Sequence, residues 1–256
     1  MFQSDLKKRI SSGENLVGGW LSLASELFVE FYAQAGIDYL VIDCEHAIIE
    51  GSVLQRIVRE SQSNALPILV RVAELNAAYI KMVLDYGVDG LIIPNVKDLA
   101  HLEEAYRMMS YPPHGTRGVG INRGQDYGSS FNDYMNNKVL NLVLIGQIEN
   151  KEAIKNLEEI CSMKFLDSLI IGPYDLSTSL GIPGDFDNKL FSEAMNEFEQ
   201  VCRMFKMPMG FHVISSNPLD SIHKYKLGYS NIIYSIDFKI FHDTLQSAIK
   251  TIRSSI

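Results

Sequence analysis

Eight short apolar runs, most of them rich in β-branched residues, punctuate this chain, and nearly all lead into a segment with helical spacing. They fall at residues 16–23, 38–45, 67–72, 90–96, 142–149, 168–173, 208–214 and 231–237. Most are continuous rather than alternating, as expected of strands covered on both faces in a parallel sheet. Helical patterns are expected over 25–36, 76–87, 98–110, 150–163, 187–205, 218–228 and from about 239 to 253. Ser25 and Asn76 can cap the first two, and Gly36 and Gly87 can end them. Strands alternating with helices in this number predict an α/β fold, a TIM (β/α)8 barrel, as a single domain over residues 1–256. A doubly wound sheet is the alternative, but the turn GGWLSLAS lacks the G-x-G-x-x-G spacing of a dinucleotide fold.

The bulk numbers fit one such barrel. The chain has 256 residues, 46% of them hydrophobic, enough for a large core, and 21% charged. A net charge of −8 without any Lys/Arg block disfavours a nucleic-acid partner. The first residues carry charges but no apolar core of a signal peptide, and no stretch approaches the ~20 apolar residues of a membrane span. Three cysteines, an odd number without metal-type spacing, suit reduced thiols in a cytoplasm.

In a barrel of this kind the strand ends converge on one face. A charge at the end of a buried strand is costly unless it is paired, bound to a metal or used. Glu149 and Asp175 follow successive strands, and two such carboxylates side by side suit a divalent cation, Mg²⁺ or Mn²⁺ by their oxygen-only character. Helix capping or pairing with a surface lysine is the other reading. Arg71 ends PILVRV and must face an anion, either a substrate oxyanion or the carboxylates of Asp43 or Glu45. His46, close behind Asp43 and Glu45, is a candidate general base or a structural histidine. Gly172, in IIGPYD, allows close backbone approach of a ligand, and Trp20 is either core or pocket wall. Residues 111–138, rich in Gly, Asn, Tyr and Arg, make a long connection expected to form a lid over the mouth.

The same segments resemble the HpcH/HpaI aldolases, metal-dependent pyruvate aldolases. The likeness runs in order through GGWLSLAS, the Ile42–Ala47 block, VRV with Arg71, LDYG, YPPHGTRGVG, QIEN, IGPYDLS and LGIPGDFDN, nearly the whole chain. It implies reversible cleavage of a 4-hydroxy-2-oxo acid to pyruvate and an aldehyde. By resemblance, Glu149 and Asp175 are metal ligands for Mg²⁺, Mn²⁺ or Co²⁺, and Arg71 stabilises the enolate. His46, oriented by Asp43 and aided by Asp85 of a neighbouring subunit, moves the proton. Gln147 and the N–H groups of Gly172 and Tyr174 receive the pyruvate half, and Trp20 is a further substrate-binding candidate. A homo-oligomer, trimer or hexamer, with exchanged C-terminal helices is also implied. The sequence departs from the family pattern at Tyr174, at His212 and in the YSID ending of the last strand, on the aldehyde side, while Arg123 and Tyr127 in the long connection stand where they can reach an acceptor. No strand ends in a lysine, which argues against Schiff-base chemistry. Alternatives are a citrate- or malyl-CoA-lyase-like enzyme, for which no basic cluster is evident, and a non-catalytic 2-oxo-acid-binding barrel.

Overall fold

A computed structural model describes residues 4–256. Its strands are β1 (Leu16–Leu21), β2 (Tyr39–Asp43), β3 (Ile68–Arg71), β4 (Gly90–Ile93), β5 (Val143–Ile148), β6 (Ser168–Ile171), β7 (Met209–Val213) and β8 (Asn231–Tyr234). All pair in parallel in chain order, and β8 returns to β1 to close the barrel. The TIM-barrel expectation holds, with each strand trimmed by a few residues at its ends.

Side chains alternate across the barrel wall. Leu16 and Trp20, Tyr39 and Val41, Leu69, Ile92, Val143 and Ile145, Ile170 and Ile233 fill the lumen. The intervening residues, such as Leu40, Ile42, Val70, Leu91, Leu144, Ile171 and Ile232, pack outward against the helices. Following the inward period one step toward the strand ends reaches Asp43, Arg71, Gln147, Gly172 and His212. The lumen's packing register thus aims this polar set at the mouth.

The outer layer contains α2 (Leu27–Ala35), α3 (Gly51–Ser63), α4 (Ala77–Asp85) and α5 (Leu99–Met109). It continues with α7 (Lys151–Lys155), α8 (Leu157–Cys161), α9 (Pro173–Ser179), α10 (Lys189–Phe205), α11 (Pro218–Lys226) and α12 (Asp237–Ser254). Asn76 caps α4 as expected, but Ser25 does not cap α2, whose preceding residue Glu26 is already helical. The expected helix over 150–163 is split at Asn156, whose backbone leaves the helical region.

Outside the long connection, three helices had no counterpart in the sequence reading. α1 (Leu6–Ser11) closes the floor of the barrel, with Leu6 and Ile10 in the lumen cluster and Lys7 Nζ 2.6 Å from Asp167. α3 buries Leu54, Ile57 and Val58, a clear helical period, but starts at Gly51 without a side-chain cap. α9 starts with Pro173, a favoured first helical residue.

The long connection is not a lid over this barrel's own mouth. It leaves the C-terminus of α5 and enters the N-terminus of β5, so it runs along the floor end, opposite the strand ends. It carries a 3₁₀ turn (Arg123–Gly128), α6 (Phe131–Asp133) and a π turn (Tyr134–Lys138). Arg123 donates to Gln62 Oε1 at 2.9 Å, on α3, rather than reaching toward this chain's own mouth.

Candidate active site

A cavity of about 220 Å³ opens at the strand ends, lined by residues that include Asp43, His46, Arg71, Gln147, Asp175 and His212. Arg71 is its electrostatic centre. The guanidinium is buried; its Nε and Nη2 lie 3.0 and 2.9 Å from Asp43 Oδ1, and Nη1 lies 3.0 Å from Glu45 Oε2. The ion pairs weighed from sequence are therefore present, on a residue that also lines the cavity. Asp43 Oδ1 additionally accepts the backbone N–H groups of Glu45 and His46, at 3.0 and 3.2 Å. Burial pushes the Asp43 carboxyl up, but Arg71 and these amides outweigh it and hold the group below its ordinary value.

Asp43 thus meets His46 through the main chain rather than through the ring. The imidazole is 65% exposed, with Nε2 4.0 Å from Glu45 Oε2. The side chain beside the ring is Glu45, a residue the sequence reading paired with Asp43 without giving it a role of its own. Burial raises the Glu45 carboxyl, and Asp43 and Asp175 add to the shift while Arg71 and His46 oppose it.

Glu149 follows β5 and is buried, 6% exposed. Oε2 accepts from Gln147 Nε2 at 2.6 Å, and Oε1 accepts from the backbone N–H of Asn95. Asn95 adopts a left-handed conformation, φ 48°, in the turn that delivers this amide. Burial pushes the Glu149 carboxyl up to about 7; the Asn95 amide opposes the shift, and the charges of Glu45 and Asp175 reinforce it. Three carboxylates thus act on one another here, with Arg71 the opposing cation.

Asp175 lies in the first turn of α9 and lines the cavity. It stands four residues past the end of β6, inside a helix rather than at the strand terminus expected from sequence. Gly172 serves differently from the sequence expectation. Its N–H donates to Ile148 O at 3.1 Å, continuing the β5–β6 ladder, and so is not available to a substrate carboxylate. What the site requires of Gly172 is the absence of a side chain. A Cβ there would lie 2.7 Å from Gln147 Nε2 and 2.8 Å from Glu149 Oε2. Tyr174, second in α9, keeps its N–H outside the intrahelical ladder. Its ring is exposed and packs edge-on against Phe186, centroids 5.1 Å apart, at the rim of the cavity.

Trp20 is both core and wall. It is buried, stacks on His212 at 4.1 Å and lies 4.6 Å under the Arg71 guanidinium. Asp85 is not part of this chain's own mouth. It ends α4 at the floor end and pairs with the buried Arg117 at 2.7 Å.

Sequence reasoning missed Asn95, Ser22, Ile214, Ile236 and Phe238. The last four line the cavity just beyond β1, β7 and β8. Their signal was position alone, because Ile214, Ile236 and Phe238 look like continued core after a strand and a lone Ser22 looks like an ordinary loop residue.

Glu149, Asp175 and Glu45 offer only oxygen, the ligand type of hard cations. A buried carboxyl raised to about 7 beside two others is the electrostatic setting that a cation relieves. No cluster of three or more His, Cys, Asp or Glu at ligating distances occurs among the described residues. The carboxylates of Glu149 and Asp175, with the remaining positions left to water or substrate, would make an open oxygen site of the kind Mg²⁺ or Mn²⁺ takes.

Residues 16–226 match the HpcH/HpaI aldolase/citrate lyase family. The chain belongs to that family. It is 36% identical over 182 residues to the hydroxypyruvate/pyruvate aldolase of Pseudomonas aeruginosa, covering 70% of this chain and 67% of that protein. It is 30% identical to the 2-keto-3-deoxy-L-rhamnonate aldolase of Escherichia coli, covering 99% and 95%. A solved family structure from Burkholderia cenocepacia superposes with a TM-score of 0.92 at 28% identity, covering 98% and 100%. Within the family the chain stands among the pyruvate aldolases, which are lyases.

Proposed function

We propose that this enzyme reversibly cleaves a 4-hydroxy-2-oxo acid to pyruvate and an aldehyde, with a divalent cation, Mg²⁺, Mn²⁺ or Co²⁺, held by Glu149 and Asp175. The observation that carries the reading is a buried carboxyl, Glu149, raised by burial and by two neighbouring carboxylates, at a mouth whose buried cation is Arg71. A cation bound there supplies Lewis acidity toward the 2-oxo acid.

In the cleavage direction the 4-hydroxyl loses its proton and the C3–C4 bond breaks. Its electron pair moves into the C2–C3 bond, leaving negative charge on the C2 oxygen. Arg71 is fixed by Asp43, Glu45 and Trp20, so its guanidinium faces that developing charge with little reorganisation. His46, exposed at the mouth, takes the hydroxyl proton. Asp43 is a positioning residue, acting on Arg71 through its carboxylate and on His46 through the main chain. Gln147 lines the cavity and has a buried Oε1 without a hydrogen-bond partner, an acceptor free for the pyruvate moiety. The Tyr174 N–H is the amide left for the substrate carboxylate.

The partner in solution is a second copy of this chain. Phe241, Leu245, Ile249 and Ile252 recur at helical spacing along α12 and are all exposed. Phe241→Glu with Ile249→Glu is expected to lower the mass measured by light scattering, and an unchanged mass removes α12 from the interface. Asp85, remote from its own mouth, belongs to this arrangement as the contribution of one subunit to another. Free, buried cysteines suit a cytoplasmic setting, and among the described residues no helix is long and apolar enough to cross a membrane.

The test is pyruvate release from 4-hydroxy-2-oxo acids with and without EDTA. Activity abolished by chelator and restored by Mg²⁺ or Mn²⁺ is expected; full activity in chelator would remove the metal role.

A further inference from the structure

The ring of His212 occupies an unusual position. It is the inward residue near the end of β7, 6% exposed, stacked flat on Trp20, and it lines the cavity. Nε2 lies 3.0 Å from the carbonyl oxygen of Ser235. A carbonyl only accepts, so Nε2 carries the ring proton and Nδ1 is left as a bare lone-pair acceptor. Ser235 is held in the left-handed region, φ 52°, and its N–H donates to Val213 O at 2.7 Å. Strand β7 and the turn after β8 therefore fix both the tautomer and the orientation of the ring. Burial lowers the His212 pKa to about 4, so the ring is neutral in the working range.

The cavity wall around it is mostly apolar. Spokes β7, β8 and β1 contribute Ile214, Ile236, Phe238 and Trp20, with Ser22 the other polar side chain on that side. The charged groups Asp43, Arg71 and Asp175 and the amide of Gln147 all come from spokes β2, β3, β5 and β6. The groups that suit pyruvate are thus on one side, and the aldehyde fragment has the other.

We propose that His212 is a specificity residue whose Nδ1 accepts a hydrogen bond from a hydroxyl on the aldehyde fragment, so that hydroxyaldehydes are favoured over aliphatic aldehydes of the same shape. This rests on the aldolase reading above and deepens it. An acceptor lone pair in an apolar wall is satisfied by a donor and left unpaired by a methyl group. An aldehyde acid would place a second acceptor against the lone pair and is disfavoured by the same geometry.

The experiment compares condensation with pyruvate for two isosteric pairs, glycolaldehyde with propanal and 3-hydroxypropanal with butanal. The quantity read is the ratio of kcat/KM within each pair, in which any general loss of activity cancels. Wild type is expected to favour the hydroxylated member of at least one pair by about tenfold, the effect of one hydrogen bond. His212→Leu should bring that ratio to about one or below, while His212→Gln, which retains an acceptor oxygen, should keep part of the preference. If His212→Leu does not fold, His212→Met takes its place. A wild-type ratio at or below one in both pairs overturns the proposal, as does a preference that survives loss of the acceptor. If no aldehyde in either pair, nor any other aldehyde, condenses with pyruvate, it is the aldolase reading that fails.

Discussion

Across the mouth of the barrel, the spokes from β2, β3, β5 and β6 carry Asp43, Arg71, Gln147, Glu149 and Asp175, whereas those from β7, β8 and β1 carry His212, Ile214, Ile236, Phe238 and Trp20. On the first side, Asp43, Arg71, Gln147 and Glu149 are held by charged or hydrogen-bonding neighbours: Arg71 by Asp43 and Glu45, Glu149 by Asn95 and Gln147. On the second, these side chains are set mostly by packing, with His212 oriented by its contact to Ser235. A single cavity can in this way combine a fixed reaction with an adjustable choice of partner. An interlocked ionic network tolerates little change, because removing one member strands the others in a low-dielectric site. A packed wall with one acceptor can be re-lined a residue at a time.

The largest expected effect comes from breaking the ionic side at its centre. Arg71→Ala should lower kcat/KM by about 10³-fold. It should also destabilise the fold by about 3 kcal/mol, because Asp43 and Glu45 lose their buried counter-ion. Steady-state kinetics and denaturant unfolding read the two effects separately, and an active, fully stable variant would dissolve the contrast between the sides. Next in size is Gly172→Ala, where the new Cβ would meet both Gln147 Nε2 and Glu149 Oε2. A displacement of that carboxylate by a fraction of an ångström should cost about 10- to 100-fold in kcat with the melting temperature nearly unchanged. Unaltered kcat would show that the position of Glu149 does not govern the reaction.

The smallest effect sets the two sides against each other by pH. Glu149 is raised from 4.5 to about 7, so in metal-free protein the folded state holds that proton more tightly than the unfolded chain. Its contribution to stability falls as pH rises through that interval. His212 is lowered from 6.5 to about 4, so its contribution is complete above 6.5 and is lost as pH falls toward 4. Between about 4.5 and 6.5 the two slopes oppose. In chelator, Glu149→Gln should make the melting temperature climb more steeply with pH, and His212→Leu should make it decline. Parallel curves for both variants and wild type would contradict the assignment.

The sequence made the barrel readable because parallel strands covered on both faces leave continuous apolar runs, and all eight runs became strands. Arg71 and Glu149 were readable for the same reason, since a charge is conspicuous at the end of such a run. Asp175 stood out in the same way, as a charge after DSLIIGPY, but its place inside α9 rather than at the strand end was not readable. Helix α3 escaped because Gly51 gives no cap signal despite a regular apolar stripe. The lid expectation failed on topology: residues 111–138 follow a helix and precede a strand, so they must lie at the floor. Backbone donors left no trace in the residue types. Asn95 supplies an amide to Glu149, and Gly172 gives its own to the sheet, and neither use is visible in a side chain.

If the ionic side makes and steadies a pyruvate enolate, the C3 protons of pyruvate exchange in D₂O without any aldehyde, a reaction that NMR follows. Exchange by wild type is expected with Mg²⁺ or Mn²⁺, abolished by EDTA and reduced at least about 10²-fold in Glu149→Gln. Exchange that continues at the wild-type rate in chelator and in Glu149→Gln would contradict it.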